Sequence, residues 1–225
     1  MFFPDRIKSI NEKDRVLEIG PGADPHPRSD IFLELSLENE DDYVRQFGHE
    51  RKLQTVKKIV FYDGKKFPFE DKEFDYVICS HVLEHVPDVE SFLAEVFRTC
   101  KKGYFEYPLI TYDYLYNFDV HLNFLKWNGS ELFYAKKSES HLDEFRPVQQ
   151  FFLQTLLKNY DTYFKKIPEF FMEGFEWNKP FKAIHTKDLG KFIVTEKEIP
   201  SLETETLTSH GYLTLANAMF RKMMK

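Results

Sequence analysis

"DRVLEIGPG", residues 14–22, joins a short apolar run to a turn that contains two glycines, Gly20 and Gly22. Glycine reaches positive φ angles without strain and lets a ligand approach the main chain closely. In open α/β sheets, ligands bind beyond the carboxyl ends of the strands, which is where such a turn lies. The stretch therefore predicts the first strand of a ligand-binding sheet.

Further strand-like runs follow at intervals typical of an α/β protein. They span residues 31–35, 56–64, 74–79 and 104–108. The clearest helix begins after Asp88, a favourable N-cap, and its apolar stripe comprises Val89, Phe92, Leu93, Val96 and Phe97. Residues 101–103, Lys-Lys-Gly, are expected to end this helix. Alternating strands and helices over residues 14–107 predict a mostly parallel sheet.

The remainder of the chain is less regular. Two strand-like runs on either side of Asn128-Gly129 predict a β-hairpin, and residues 174–188 resemble a second one. We expect helices at 3–10, 37–48 and 147–158. Residues 1–196 are expected to form a single domain with an insertion at about 108–146. Residues 197–225 are expected to form a linker and a C-terminal helix.

Composition narrows the possible functions. The net charge of −6, from 37 acidic and 31 basic residues, argues against nucleic acid as the main partner. The two cysteines, Cys79 and Cys100, suit neither a disulfide framework nor a cysteine-based zinc site. The N-terminus lacks an apolar signal region, and no run reaches the roughly 18 apolar residues of a membrane helix. We therefore expect a cytoplasmic protein without membrane insertion.

Two acidic residues follow predicted strands. Glu34 ends the second strand, where a carboxylate can accept hydrogen bonds from ribose hydroxyls. Asp63 ends the third strand, where it could accept a hydrogen bond from an adenine amine. Taken singly, each is more often a solvated strand end or a turn former. The dinucleotide fingerprint G-x-G-x-x-G is absent because Pro25 occupies its third glycine position.

Together, "VLEIGPG", Glu34, "YDGKKFPFEDKEFDYVICSHVLEHV" and the helix after it resemble the class I S-adenosylmethionine-dependent methyltransferases of the small-molecule type, similar to methyltransferase type 11, over about residues 12–107. The resemblance implies a Rossmann-like, doubly wound, mostly parallel sheet. In this chain the sheet would carry an aromatic-rich β-hairpin insertion after the fifth strand. The implied cofactor is S-adenosyl-L-methionine, with S-adenosyl-L-homocysteine as its product.

The resemblance also implies roles for single residues. Those that would contact the cofactor are Glu18, Gly20 and Gly22 at its methionine part, Glu34 at the ribose, Asp63 with Gly64 at the adenine, and Ser80 with His81 from the fourth strand. One departure concerns the 12 positions from Gly22 to Glu34, since a dinucleotide-type unit places its acid about 20 residues on. A short loop is therefore expected in place of the usual helix, and Glu38 is the alternative ribose partner.

Methyl transfer from a sulfonium is an in-line displacement, so the expected enzyme contributes mainly proximity and exclusion of water. Among possible bases, only His81 is expected near the reaction centre, while Glu106, Asp113 and His121 are more often structural. The acceptor is expected to be a small molecule or a glycan-type compound. The eleven aromatic residues between positions 104 and 134 could line its pocket or could form a satellite core.

Two other interpretations fit parts of the sequence. His81 to His85 match the inverted zinc-protease pattern H-x-x-E-H, which requires a long helix and a third ligand. Pro87 disfavours helix at Val86, and the sequence offers no obvious third ligand. We therefore expect no metal. The remaining alternative is a protein that keeps the cofactor pocket but has no catalytic activity.

Overall fold

The computed structural model describes residues 1–36, 53, 55–156 and 167–193. The predicted helix at 37–48, the alternative residue Glu38, the end of the predicted helix at 147–158 and the C-terminal segment at 197–225 lie wholly or largely outside these residues. Among the residues described, no helix is both long and apolar enough to cross a lipid bilayer.

The main sheet has six strands in the order β3-β2-β1-β4-β5-β8. They are β1 (Val16–Ile19), β2 (Ile31–Leu35), β3 (Lys58–Tyr62), β4 (Phe74–Ser80), β5 (Cys100–Pro108) and β8 (Met172–Trp177). All neighbours run parallel except β8, which is antiparallel to β5. The order reverses between β1 and β4, which is the topological switch point of a doubly wound sheet. The predicted fold class is thus confirmed.

The connection from β1 to β2 is a loop of turns and bends without a helix, as its prolines predicted. Helix α1 (Val89–Thr99) begins where predicted, because Asp88 accepts a hydrogen bond from the Ser91 amide at 3.0 Å. Its buried stripe packs into the largest apolar cluster, together with side chains of β1, β2 and β4. The helix therefore covers one face of the sheet, and the loop after β1 places no helix of its own over the carboxyl edge.

The predicted end of α1 at Lys101–Gly103 was wrong. The helix ends at Thr99, and residues 101–103 already belong to β5, where Gly103 pairs with Val77. A Cβ atom on Gly103 would lie 2.4 Å from the Val77 side chain and 2.5 Å from its carbonyl oxygen. This glycine is needed for close strand packing, which the sequence alone did not distinguish from a helix stop.

A second sheet contains β6 (Asn123–Trp127), β7 (Glu131–Lys136) and β9 (Lys182–His185). The hairpin of β6 and β7 was predicted correctly, with Gly129 at φ +98° in its turn. The second predicted hairpin was wrong, because β8 joins the main sheet while β9 pairs parallel with β7. The part of the chain that the structure describes contains three further helices, α2 (Ile110–Tyr116), α3 (Arg146–Leu156) and α4 (Pro168–Phe171).

The N-terminal segment was predicted to be a helix, but only Pro4–Arg6 form a single 3-10 turn. The rest of the segment is held by contacts with distant strands. The amides of Phe2 and Phe3 donate to Glu106 on β5, and Ile7 and Ile10 pack against the buried cluster on the other face of the sheet. Tertiary hydrogen bonds therefore fix this segment in place of helical ones.

Candidate functional site

A cavity of about 400 Å³ opens at the carboxyl edge of the main sheet, next to the switch point. Its volume lies within the range of small-molecule sites. Each of the first four strands contributes through its end or the loop that follows it, and helix α1 adds one side chain. The lining residues are Ile19, Gly20, Leu33, Glu34, Leu35, Tyr62, Asp63, Gly64, Lys65, His81, Val82, His85, Val86, Pro87 and Phe92.

Gly20 lines the cavity floor and cannot easily be another residue. Its φ is +61°, and a Cβ atom would lie 2.6 Å from Val82 Cγ2. Its amide donates to the Leu33 carbonyl at 2.9 Å, which fixes the turn to β2. Gly20 therefore permits a close contact between the turn after β1 and Val82, and both residues line the cavity.

Glu34 and Asp63 lie at the ends of adjacent parallel strands and both line the cavity. Burial raises the pKa of Glu34 to about 7. Within the described residues, the hydrogen bond that this carboxylate accepts comes from the Leu35 amide, at 3.0 Å. Asp63 accepts from the Lys65 amide at 3.0 Å and so shapes the turn at Gly64. Two carboxylates on one wall can receive hydroxyl and amine donors of a ligand.

Three of the predicted cofactor residues do not line this cavity. Glu18 is buried and accepts from the Ser29 hydroxyl at 2.6 Å and from the His26 amide at 2.9 Å, so it holds the loop after β1. Burial raises its pKa to about 7. Gly22 has φ +59° in that loop. Ser80 donates to Glu106 at 3.0 Å.

His81 is held between two carboxylates. Its Nε2 donates to Glu106 at 3.1 Å, and its Nδ1 lies 3.3 Å from Glu84. Burial alone would lower the pKa of His81, but these contacts outweigh it and raise the pKa to about 9. The imidazole is therefore charged at neutral pH, and it lines the cavity as a cation rather than as a free base.

The Glu106 carboxylate accepts hydrogen bonds from five groups. Besides Ser80 and His81, the amides of Phe2 and Phe3 and the Tyr104 hydroxyl donate to it at 2.7–2.9 Å. Burial would raise its pKa, but these partners, His81 foremost, lower it to about 2. The carboxylate is fully buried and stays ionised. Its geometry suits anchoring of the N-terminal segment and of His81.

The H-x-x-E-H pattern does not form the long helix that an inverted zinc-protease site needs. Leu83–His85 make one 3-10 turn, and His81 precedes it with φ +57°. His85 donates from Nδ1 to the Val120 carbonyl at 3.0 Å and lines the cavity with its ring. The two histidines of the pattern consequently face different partners.

The aromatic segment at residues 104–134 contributes no side chain to the cavity lining. Tyr112 stacks on Phe118 at a centroid distance of 5.1 Å, and Trp127 stacks on Phe175 at 4.2 Å. Tyr116 belongs to a separate buried cluster with Phe3 and neighbouring aromatics. The segment thus packs as satellite cores, which was one of the two readings of its sequence.

Sequence reasoning missed several lining residues. Tyr62 and Lys65 flank the predicted Asp63 and Gly64, so the strand-end signal was present without being extended to them. Phe92 was recognised only as a helix core position. Its place beside the cavity depends on how α1 crosses the sheet, which no local pattern encodes.

The residues present fit an adenosyl cofactor. Glu34 has capacity for further donors at the end of β2, where a ribose diol would supply two. Asp63 stands one strand further along the same edge, and leucine, tyrosine and phenylalanine side chains supply apolar walls. Gly20 and Gly22 lie in positive-φ turns with no Cβ to obstruct a ligand.

Comparisons with known proteins agree with this picture. Residues 34–105 match the family model described as "Methyltransferase domain". The chain is 32% identical over 101 residues to sterol 24-C-methyltransferase erg6 of Schizosaccharomyces pombe, covering 42% of this chain and 27% of that protein. It is 34% identical over 55 residues to phosphoethanolamine N-methyltransferase 2 of Caenorhabditis elegans, covering 24% of this chain and 12% of that protein. The chain therefore spans about a quarter or less of these relatives' length.

Among solved structures, a possible histamine N-methyltransferase from Thermotoga maritima aligns with a TM-score of 0.32 at 20% identity, over 47% of this chain and 49% of that one. Residues 34–105, which lie on a sheet with the doubly wound strand order, are thus similar in sequence to the methyltransferase domains that this family model describes.

Proposed function

We propose that this protein transfers a methyl group from S-adenosyl-L-methionine to a small-molecule or glycan-type acceptor. The observation that carries the proposal is the cavity at the switch point, with Glu34 and Asp63 on one wall and Gly20 at its floor. The cofactor supplies the methyl group already activated as a sulfonium. The chain's own residues then need to bind, orient and exclude water.

In this proposal, Glu34 accepts hydrogen bonds from the ribose hydroxyls, and Asp63 with Gly64 flanks the adenine. Gly20 leaves room for the methionine part. Glu18, Gly22 and Ser80 support the cavity without lining it. Glu18 fixes the loop after β1, Gly22 gives that loop its turn, and Ser80 donates a hydrogen bond to Glu106.

His81 is proposed to stand near the reaction centre, where its position is fixed by Glu84 and Glu106. Because both ring nitrogens face carboxylates, it contributes positioning and charge rather than proton abstraction. This favours an acceptor that needs no strong base, or one whose proton leaves to water after transfer.

The relatives' names mention a sterol and phosphoethanolamine, which define two acceptor classes to test beside sugars. Because the chain spans only part of those proteins, neither acceptor is assigned to it. The alternative, a cofactor-binding protein without activity, is supported by the engagement of His81, the base predicted near the reaction centre, with Glu84 and Glu106.

Calorimetry with S-adenosyl-L-homocysteine tests the pocket, and transfer of a labelled methyl group to sterol, phosphoethanolamine and sugar acceptors tests the activity. Asp63→Ala should weaken cofactor binding, whereas Glu12→Ala, at an exposed position before β1, should not. No binding by the wild-type protein overturns both readings. Binding without transfer to any acceptor class favours the non-catalytic alternative.

A further inference from the structure

Three side chains from two distant segments converge beside the cavity wall. Glu84 and His85 lie on the turn after β4, and His121 lies just before β6. One possible ligand atom from each lies within 4.8 Å of the others. Glu84 is 1% exposed, and the side chains of His85 and His121 are 16% and 9% exposed.

The hydrogen bonds of the two histidines fix which nitrogen is free. His85 Nδ1 faces the Val120 carbonyl at 3.0 Å, and a carbonyl can only accept, so Nδ1 carries the proton. His121 Nδ1 faces the Asp113 carboxylate at 2.9 Å, and it donates there for the same reason. In the neutral form of each ring, Nε2 is therefore the nitrogen with a free lone pair. A carboxylate or carbonyl behind the ring is the arrangement that orients metal-binding histidines.

Glu84 keeps acceptor capacity beyond its contact with the charged His81. Both of its carboxylate oxygens are buried and accept no hydrogen bond from the described residues. Its nearest nitrogen contacts are His81 Nδ1 at 3.3 Å and His85 Nε2 at 3.7 Å, without hydrogen-bond geometry. The His81 cation offsets part of the cost of burying this carboxylate, and its oxygens can still accept a ligand bond from a metal ion.

The backbone already holds the two segments together. The Leu122 amide donates to the Glu84 carbonyl at 2.7 Å. The Asn123 side chain donates to the carbonyls of Leu83 and Val86 at 3.1 and 2.7 Å. The three side chains are thus presented by a fixed framework.

We propose that Glu84, His85 and His121 bind one divalent transition-metal ion of the zinc class. Two imidazoles and a carboxylate favour such an ion over magnesium or calcium, which prefer oxygen ligands. Tetrahedral zinc ligands lie about 3.4 Å apart, so ligand atoms that lie within 4.8 Å of one another need to close by at most about 1.4 Å. Three protein ligands leave a fourth position for water. The ion clamps the insertion to the turn that forms one wall of the cofactor cavity.

This site differs from the zinc-protease pattern considered from the sequence. That pattern pairs His81 with His85 on one helix, whereas the structure turns His81 towards Glu106. The expectation of no metal rested on the absence of a third ligand near the pattern. His121 supplies that ligand from far along the chain, through folding of the insertion.

The test measures metal content directly. Untagged wild-type protein is stripped with a chelator, dialysed against zinc and then against metal-free buffer, and analysed by mass spectrometry. We expect about one zinc ion per chain. His121→Asn should lose it, while His141→Asn, which removes an imidazole that is 82% exposed, should retain it. Zinc should also raise the Tm of stripped wild-type protein but not that of His121→Asn.

Because His121→Asn could also fail to fold, the wild-type protein is examined in parallel with Co²⁺, whose visible absorption reports four-coordinate binding. S-adenosyl-L-homocysteine binding by the stripped protein verifies that the cofactor cavity is intact, independently of the metal. Absence of zinc and of the cobalt spectrum in folded wild-type protein overturns the proposal. Equal zinc loss in both histidine variants overturns it as well, since the ion would then be adventitious.

Discussion

Glu34→Gln should abolish a pH dependence of cofactor binding that the structure predicts for the wild-type protein. Burial raises the pKa of Glu34 to about 7, from an ordinary value of 4.5. Ribose hydroxyls donate better to the ionised carboxylate than to the protonated one. The cofactor should therefore bind preferentially to the ionised form, so affinity should rise as the pH increases through 7.

The expected magnitude follows from the fraction of Glu34 that is ionised. With a pKa of about 7, that fraction is about 9% at pH 6 and about 91% at pH 8, so the affinity should rise about tenfold. Glu34→Gln removes a charged acceptor, which costs about 1.5–3 kcal/mol or about 10- to 100-fold in Kd at pH 8. At pH 6, the wild-type protein should have lost about tenfold in affinity and the variant none, so the difference between their affinities should be about tenfold smaller than at pH 8. Calorimetric titration with S-adenosyl-L-homocysteine at both pH values measures this.

Glu18 provides the matched control because burial also raises its pKa to about 7, yet it lies outside the cavity lining. Glu18→Gln should retain the pH slope, because the amide oxygen can still accept from Ser29 and His26. A wild-type affinity that is flat between pH 6 and 8 would refute the reasoning. So would a slope that survives in Glu34→Gln or disappears in Glu18→Gln.

Three further outcomes follow from the described contacts. Gly20→Ala should lower the Tm more than Gly22→Ala, because both have positive φ but only at Gly20 would the Cβ atom meet a neighbour, at 2.6 Å; equal losses would contradict this. The raised pKa of His81 stabilises the folded protein fully below pH 6.5, and this contribution is lost as the pH rises through about 9. Urea unfolding of Glu106→Gln should show a smaller loss of stability over this pH range, because one of the two carboxylates beside His81 is then neutral. Asp88→Ala should cost about 1 kcal/mol of unfolding free energy through loss of the helix cap, and an unchanged urea midpoint would contradict that.

Local patterns were sufficient for much of the fold. The apolar runs fixed strands β1 to β5, the cap at Asp88 fixed the start of α1, and Asn128-Gly129 fixed the hairpin. These features depend on neighbours in sequence, through capping, turn geometry and side-chain periodicity. Gly103 and residues 174–188 were misread because strand pairing with distant partners decided them.

The site residues likewise divide into those that local patterns locate and those that tertiary contacts orient. Glu34 and Asp63 could be located from the sequence because parallel strands bring their carboxyl ends to one edge. For Glu18 and Ser80, contact with the cofactor stays a prediction, and the structure adds that Glu18 accepts from Ser29 and that Ser80 donates to Glu106. A buried polar group turns towards a donor or acceptor that it can reach, and its neighbours in sequence do not show which one that is.

By itself, the sequence determined a mostly parallel sheet with a glycine turn after β1, a loop between β1 and β2, and acids at the ends of β2 and β3. Only the tertiary structure decided that His81 is held as a cation by Glu84 and Glu106, and that His121 meets Glu84 and His85. The first set follows from local backbone preferences and the period of apolar residues. The second depends on distant segments meeting, where buried charges must find partners that no local pattern names.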